Sequence, residues 1–164
     1  MKTNKEIISK YTIAIKSIEY AAKDLKIEAP ETAFLNQNQL PNKDITSIFI
    51  PDKYAIVFNE SWITDAKIED VILTCFHETR HAYQHSQIKR YIEVLEVKEK
   101  RSVVTQWKND FDNYRQPTSN KYEKEYVNQS IERDAMRYSM LKIQSLAIIT
   151  ILMSFVDTNG GNGE

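Results

Sequence analysis

The sequence predicts an α+β chain, mostly helical with a small β-hairpin or sheet. Three observations point there. Long stretches carry apolar residues at helical spacing, and two short runs rich in β-branched and aromatic residues lie close together. The composition, with 41% hydrophobic and 27% charged residues, is that of a globular chain. At 164 residues the chain can bury one core of its own and is short for two, so residues 1–156 are expected to form one domain.

In the first segment Ile7, Tyr11, Ala14, Ile18, Ala22 and Leu25 recur with the helical period, and the pattern stops before Pro30. The spacing predicts an amphipathic helix over about 4–26. ITSIFI at 45–50 and YAIVF at 54–58, separated by Pro51, Asp52 and Lys53, read as a hairpin with Tyr54, Ile56 and Phe58 on one face. YAIVF is also a candidate docking edge for an extended peptide. Thr64 and Asp65 offer capping side chains for a helix carried by Ile68, Val71, Ile72, Cys75 and Phe76 to about residue 87. A further helix is expected over 88–114, ending before Pro117. From Tyr122 to Phe155 neither proline nor glycine occurs, which predicts one long helix or two joined near 138–141.

Several function classes are disfavoured. The net charge of -1 argues against a nucleic-acid partner, and the basic run KEKR at 98–101 reads as a solvated helix face. All three glycines lie in the closing TNGGNGE, so no glycine-rich phosphate loop is possible before it, and 157–164 reads as a flexible tail. The single cysteine, Cys75, has no internal disulfide partner, and the N-terminus lacks the apolar stretch of a secretion signal, so a cytoplasmic location is expected. LAIITILMSF at 146–155 is too short for a membrane span and reads as a buried helix.

The chemistry concentrates in CFHETRHAYQ, residues 75–84. On a helix, positions i and i+4 stack on one face, so His77 and His81 can aim ring nitrogens at one ion. Glu78 then lies beside the ion, where it can act as the general base of an HExxH metallopeptidase. His85 continues the stripe. From His77 to His85 the helix advances two turns, about 11 Å, however, too far for ligands that must lie about 2 Å from an ion, so His85 is expected at the rim. Cys75 points to a different side and is expected in the core.

With no histidine left, a third ligand must be a carboxylate or, less plausibly, Cys75. YVNQSIERDAMRYS at 126–139 offers Glu132 and Asp134. Two residues apart on a helix is about 200° in direction, so only one of the two can ligate. Glu132 is the choice, because the small Ala135 one turn on lets this helix pack closely against the HETRH helix. Asp134 is then a candidate to fix a neighbouring arginine or a ligand histidine from behind. An oxyanion donor is also needed, and Tyr138, Tyr126 and Tyr122 are available. Tyr138, six residues beyond Glu132, could serve only if the helix breaks between them.

HETRH followed downstream by IERDAMRYS resembles the HExxH-plus-glutamate pattern of the gluzincin metallopeptidases. The E-x-D-A-x-x-Y run is similar to a stretch in small bacterial and phage proteins of the ImmA/IrrE type. The resemblance covers two short motifs. It implies a minimal zincin-like fold around a central HExxH helix, zinc held by His77, His81 and Glu132, and Glu78 as base. The expected activity is zinc-dependent hydrolysis of a protein or peptide substrate, with no nucleic acid and no membrane involved. The alternative is a non-catalytic regulator or binding protein of a mobile element that keeps the fold.

Overall fold

The computed structural model describes residues 4–41, 44–115 and 124–159, with side chains from residue 10 to residue 147 among them. Among the described residues the architecture is α+β, with six helices and a three-stranded sheet arranged around one long central helix. Helix α1 (Asn4–Leu25) is followed by strand β1 (Glu31–Leu35), β2 (Ser47–Ile50) and β3 (Ala55–Asn59). A short helix α2 (Glu60–Asp65), the central α3 (Ile68–Ile92), α4 (Arg101–Asp112), a single turn α5 (Lys124–Val127) and α6 (Ser130–Asn159) complete it.

Helix α1 forms where the periodicity puts it, and its apolar stripe buries Ala14, Ile18, Ala22 and Leu25. It ends without glycine. Lys26 takes the left-handed conformation at φ 56°, and Ile27 N–H bonds back to the Ala22 carbonyl at 3.0 Å. Helix α3 ends in the same way, with Val94 at φ 59° and Leu95 N–H on the Arg90 carbonyl at 2.8 Å. A β-branched residue is poorly suited to this region, and Val94, 84% exposed, gains little packing in return. Val94→Gly should therefore raise stability by about 1 kcal/mol, net of glycine's extra freedom in the unfolded chain, or about 2–4 °C in Tm. Thermal unfolding followed by circular dichroism checks this.

The expected hairpin is present: β2 and β3 pair antiparallel, with Phe49 opposite Ile56, across a tight helical turn at Pro51–Lys53. A third strand, β1, was not expected, and it pairs parallel to β3 with Thr32 opposite Ile56. The order β1-β3-β2 makes β3 the central strand. Its backbone is paired on both sides and all its residues are buried, so YAIVF cannot be a docking edge. Strand β2 is the edge that lies towards α3, and this corrects the sequence reading.

Thr64 and Asp65 do not cap α3. They end α2, where the Thr64 hydroxyl donates to the Glu60 carbonyl at 2.7 Å, and Lys67 precedes α3 without a side-chain cap. Asn59, the last residue of β3, caps α2 instead by accepting from Ser61 N–H at 3.0 Å. The helix expected over 88–114 is divided between the end of α3 and α4. Lys98 to Lys100 lie in the intervening loop, not on a helix face. Helix α6 runs through 138–141 without a break and on to Asn159, past the expected start of the tail. Residues 160–164, Tyr122 and the side chains of 148–155 lie outside the described residues.

Helix α3 is buried on two sides. One side packs Val71, Cys75 and Ala82 with Phe49, Ile56 and Phe58 of the sheet, Ala14 and Ile18 of α1, and Ile63 of α2. The other packs Tyr83 and Ile88 with Val104 and Trp107 of α4 and Ile131 of α6. Burying each large apolar side chain contributes roughly 1.5–3 kcal/mol, so both packing faces hold α3 firmly. Among the described residues no helix is long and apolar enough to cross a membrane.

Candidate metal centre

The five residues of HETRH face three directions, because α3 turns Thr79 into the core, Arg80 towards α6, and His77, Glu78 and His81 towards a common side. Thr79 is fully buried and its hydroxyl donates back to the Cys75 carbonyl at 2.7 Å. Arg80 points towards α6, while His77, Glu78 and His81 share the side that opens between β2, α4 and the start of α6. Cys75 is buried in the core, as expected, with its thiol pKa pushed up by burial and then by the Glu78 charge.

His77 and His81 meet Glu132. The two Nε2 atoms are 3.0 Å apart. Glu132 Oε2 lies 3.2 Å from His77 Nε2, and Oε1 lies 3.5 Å from His81 Nε2. The three residues form a group whose ligand atoms all lie within 4.8 Å of one another, so it could hold a metal ion. Tetrahedral coordination with bonds of 2.0–2.1 Å has ligand–ligand edges of about 3.3 Å, close to the 3.0 Å between the two Nε2 atoms and the 3.2 Å from His77 Nε2 to Glu132 Oε2, while His81 makes its 3.5 Å contact with the other carboxylate oxygen. Both imidazoles and the carboxylate are largely enclosed, with side-chain exposures of 16%, 9% and 4%. Two ring nitrogens and a carboxylate this close, out of water, need a shared hydrogen or a cation between them.

The electrostatics express the same requirement. Burial lowers the pKa of His81, but the charge and hydrogen bonding of Glu132 outweigh it, with help from Glu78, and push it up to about 9. Burial raises Glu132, yet the charge of His81 and the hydrogen bonds from His77 and His81 hold it well below the usual carboxylate range.

Glu132 reaches the histidines because α4 fixes the start of α6. Asp110 accepts from the Ser130 backbone N–H at 2.6 Å, from the Ser130 hydroxyl and from Ile131 N–H at 3.3 Å. An acid supplied by a neighbouring helix thus serves the orphan donors of the first turn, from which Glu132 projects. Ala135, one turn on, is fully buried, as the close packing of α6 requires.

Glu78 is buried at 7% exposure, and its Oε1 accepts from the Ser47 hydroxyl at 2.7 Å. Ser47 opens β2, so the edge strand holds the carboxylate beside the trio. Asp134 faces away from the trio. It takes Arg80 through Nε at 2.7 Å and Nη2 at 3.2 Å, and Gln84 Nε2 at 2.8 Å. Gln84 in turn lies 2.9 Å from His81 Nδ1, so Asp134 braces an arginine directly and a histidine through one residue.

Tyr138 is not at the site. With α6 unbroken, its hydroxyl donates to Asp24 of α1 at 3.0 Å and its ring lies 5.4 Å from the Arg80 guanidinium. Two other tyrosines take the place. Tyr114, just past α4, donates to Glu132 Oε1 at 2.7 Å, its hydroxyl turned inward although the residue is 37% exposed. Tyr126 on α5 packs edge-on against it at 6.3 Å and shares hydrogen bonding with Tyr114 and Glu132. Burial, and then the Glu132 charge, hold both phenols well above their ordinary pKa, so both remain donors.

Tyr126 was among the sequence candidates and Tyr114 was not. The only local hint at Tyr114 was an aromatic residue at the expected helix end before Pro117. His85 stays outside the trio, half-buried between Phe49 and Phe111 with ring centroids 5.9 and 6.2 Å away. Compared with protein families, curated proteins and solved structures, the chain matches no family model, no curated protein and no solved structure, which leaves the geometry of the site as the ground for its function.

Proposed function

We propose that the chain is a zinc-dependent peptide hydrolase of the gluzincin kind. The observation that carries this reading is the convergence of His77, His81 and Glu132, drawn from two helices, with the Glu78 carboxylate buried beside them. Two imidazoles and one carboxylate are a donor set suited to catalytic zinc, which takes three protein ligands and keeps one position open. When bound, such an ion supplies a Lewis acid for a carbonyl and makes water acidic near neutral pH.

The chain's own residues supply the rest. Glu78 would take a proton on the oxygen that Ser47 does not engage and pass it to the leaving amine. Tyr126 offers a hydroxyl donor next to Glu132 for the oxygen that gains charge in the transition state, while the one hydroxyl hydrogen of Tyr114 is given to Glu132 Oε1 and holds that carboxylate in place. The outer edge of β2, which begins at Ser47, offers backbone groups to an extended peptide.

The reading is tested by incubating the purified protein with a mixture of unstructured peptides and mapping the products. Discrete fragments are expected, lost on chelation and restored by zinc. Intact peptides with the zinc-loaded protein would remove the hydrolase reading and favour a regulator that keeps the ion.

A further inference from the structure

Gln84 lies on α3 one turn beyond His81 and is fully buried. A buried primary amide has two N–H donors and a carbonyl to satisfy, and its two ends must be told apart by their partners. Nε2 lies 3.0 Å from the Ile131 carbonyl and 2.8 Å from Asp134 Oδ2. A carbonyl can only accept, and Asp134 is a carboxylate already gripped by both Nε and Nη2 of Arg80. The amide NH2 must face these two oxygens, since the reversed amide would set oxygen against oxygen twice. Oε1 is then the atom 2.9 Å from His81 Nδ1, and it must accept.

A hydrogen on Nδ1 leaves the lone pair of the neutral ring on Nε2, the nitrogen that faces His77 and Glu132. We infer that Gln84 is a positioning residue of the metal centre: held by Asp134 and the Ile131 carbonyl, it fixes the His81 ring and its tautomer so that Nε2 is reserved for the cation. The inference rests on reading His77, His81 and Glu132 as ligands. It extends the site backwards through an unbroken series of contacts from His81 to Gln84, Asp134 and Arg80. Arg80 is itself held against the rings of Tyr83 at 4.4 Å and Trp107 at 5.6 Å and by Glu99 at 3.4 Å. Partners behind a metal ligand commonly change affinity 10–100-fold when removed, so an effect of that size is at stake.

Two measurements test this with zinc alone as the probe. Long-range proton–nitrogen NMR of the native, zinc-loaded protein should show His81 carrying hydrogen on Nδ1 and bound through Nε2. Zinc on Nδ1 would overturn the inference. Competition with a chromophoric chelator should then show Gln84→Leu binding zinc about 10–100-fold more weakly than native. A residue that only fills space would leave zinc affinity unchanged in Gln84→Leu, because leucine fits a buried site, and that result would also overturn the inference. The NMR result stands on the native protein even if the variant fails to fold. A native protein that binds no zinc at all overturns the metal centre itself, an outcome distinct from zinc bound through the wrong nitrogen.

Discussion

Glu78→Gln is expected to lower kcat for peptide cleavage by about a thousandfold while one metal ion per chain is retained, the scale of a lost general base. The amide is nearly isosteric, and its oxygen can still accept from the Ser47 hydroxyl that holds Glu78 Oε1 at 2.7 Å. The buried pocket should therefore keep its shape. What disappears is the ability to take and return a proton. Because Glu78 is not in the group that could hold a metal ion, KM and metal content should change little. Steady-state kinetics with metal analysis on the same sample checks both halves, and native turnover in Glu78→Gln would remove Glu78 as the base.

Arg80→Ala should lower stability by about 3 kcal/mol, or roughly 6–12 °C in Tm, measured with chelator present so that metal does not report. Arg80 is 13% exposed in its side chain and ties Asp134 at 2.7 Å and Glu99 at 3.4 Å across three elements of the fold. Its removal leaves both acids without their cation and empties the space between Tyr83, Trp107 and Tyr138. Asp134 and Glu99 remain partly exposed at 27% and 32%, which places the loss at the lower end for buried pairs. Arg80→Lys should recover only part of it, because an ammonium cannot hold Asp134 with two N–H groups or stack flat on a ring. An unchanged Tm for Arg80→Ala would show that this network carries no stability.

The parts of the fold that could be read in the sequence are those encoded over short distances. The apolar period of α1, the β-branched runs of β2 and β3 and the stretch without proline or glycine that holds α6 announce themselves within one window. Strand β1 does not. ETAFL is short, and it becomes a strand only by pairing in parallel with residues 55–59, a contact no local pattern encodes. That pairing also makes YAIVF central. Thr64 and Asp65 misled because capping residues mark both ends of short helices, and the brief α2 has too little period to be seen.

At the site, the residue types of HETRH and the 200° rule for Glu132 against Asp134 were legible, since helix geometry fixes which side chains can share one ion. Tyr114 and Gln84 were not. Each acts through a partner 18 or 47 residues away or more, and only the packing of α3, α4 and α6 brings them to Glu132 and the Ile131 carbonyl. Tyr138 failed for the converse reason: an unbroken helix turns it towards α1 and Asp24.

The most direct measurement is zinc binding by the native chain and by Glu132→Ala, titrated against a competing chelator. One ion per native chain is expected, with binding weakened at least about a hundredfold in the variant, no less than the loss of a partner behind a ligand would cause. Equal affinity in the two proteins would contradict a cation held jointly by His77, His81 and Glu132.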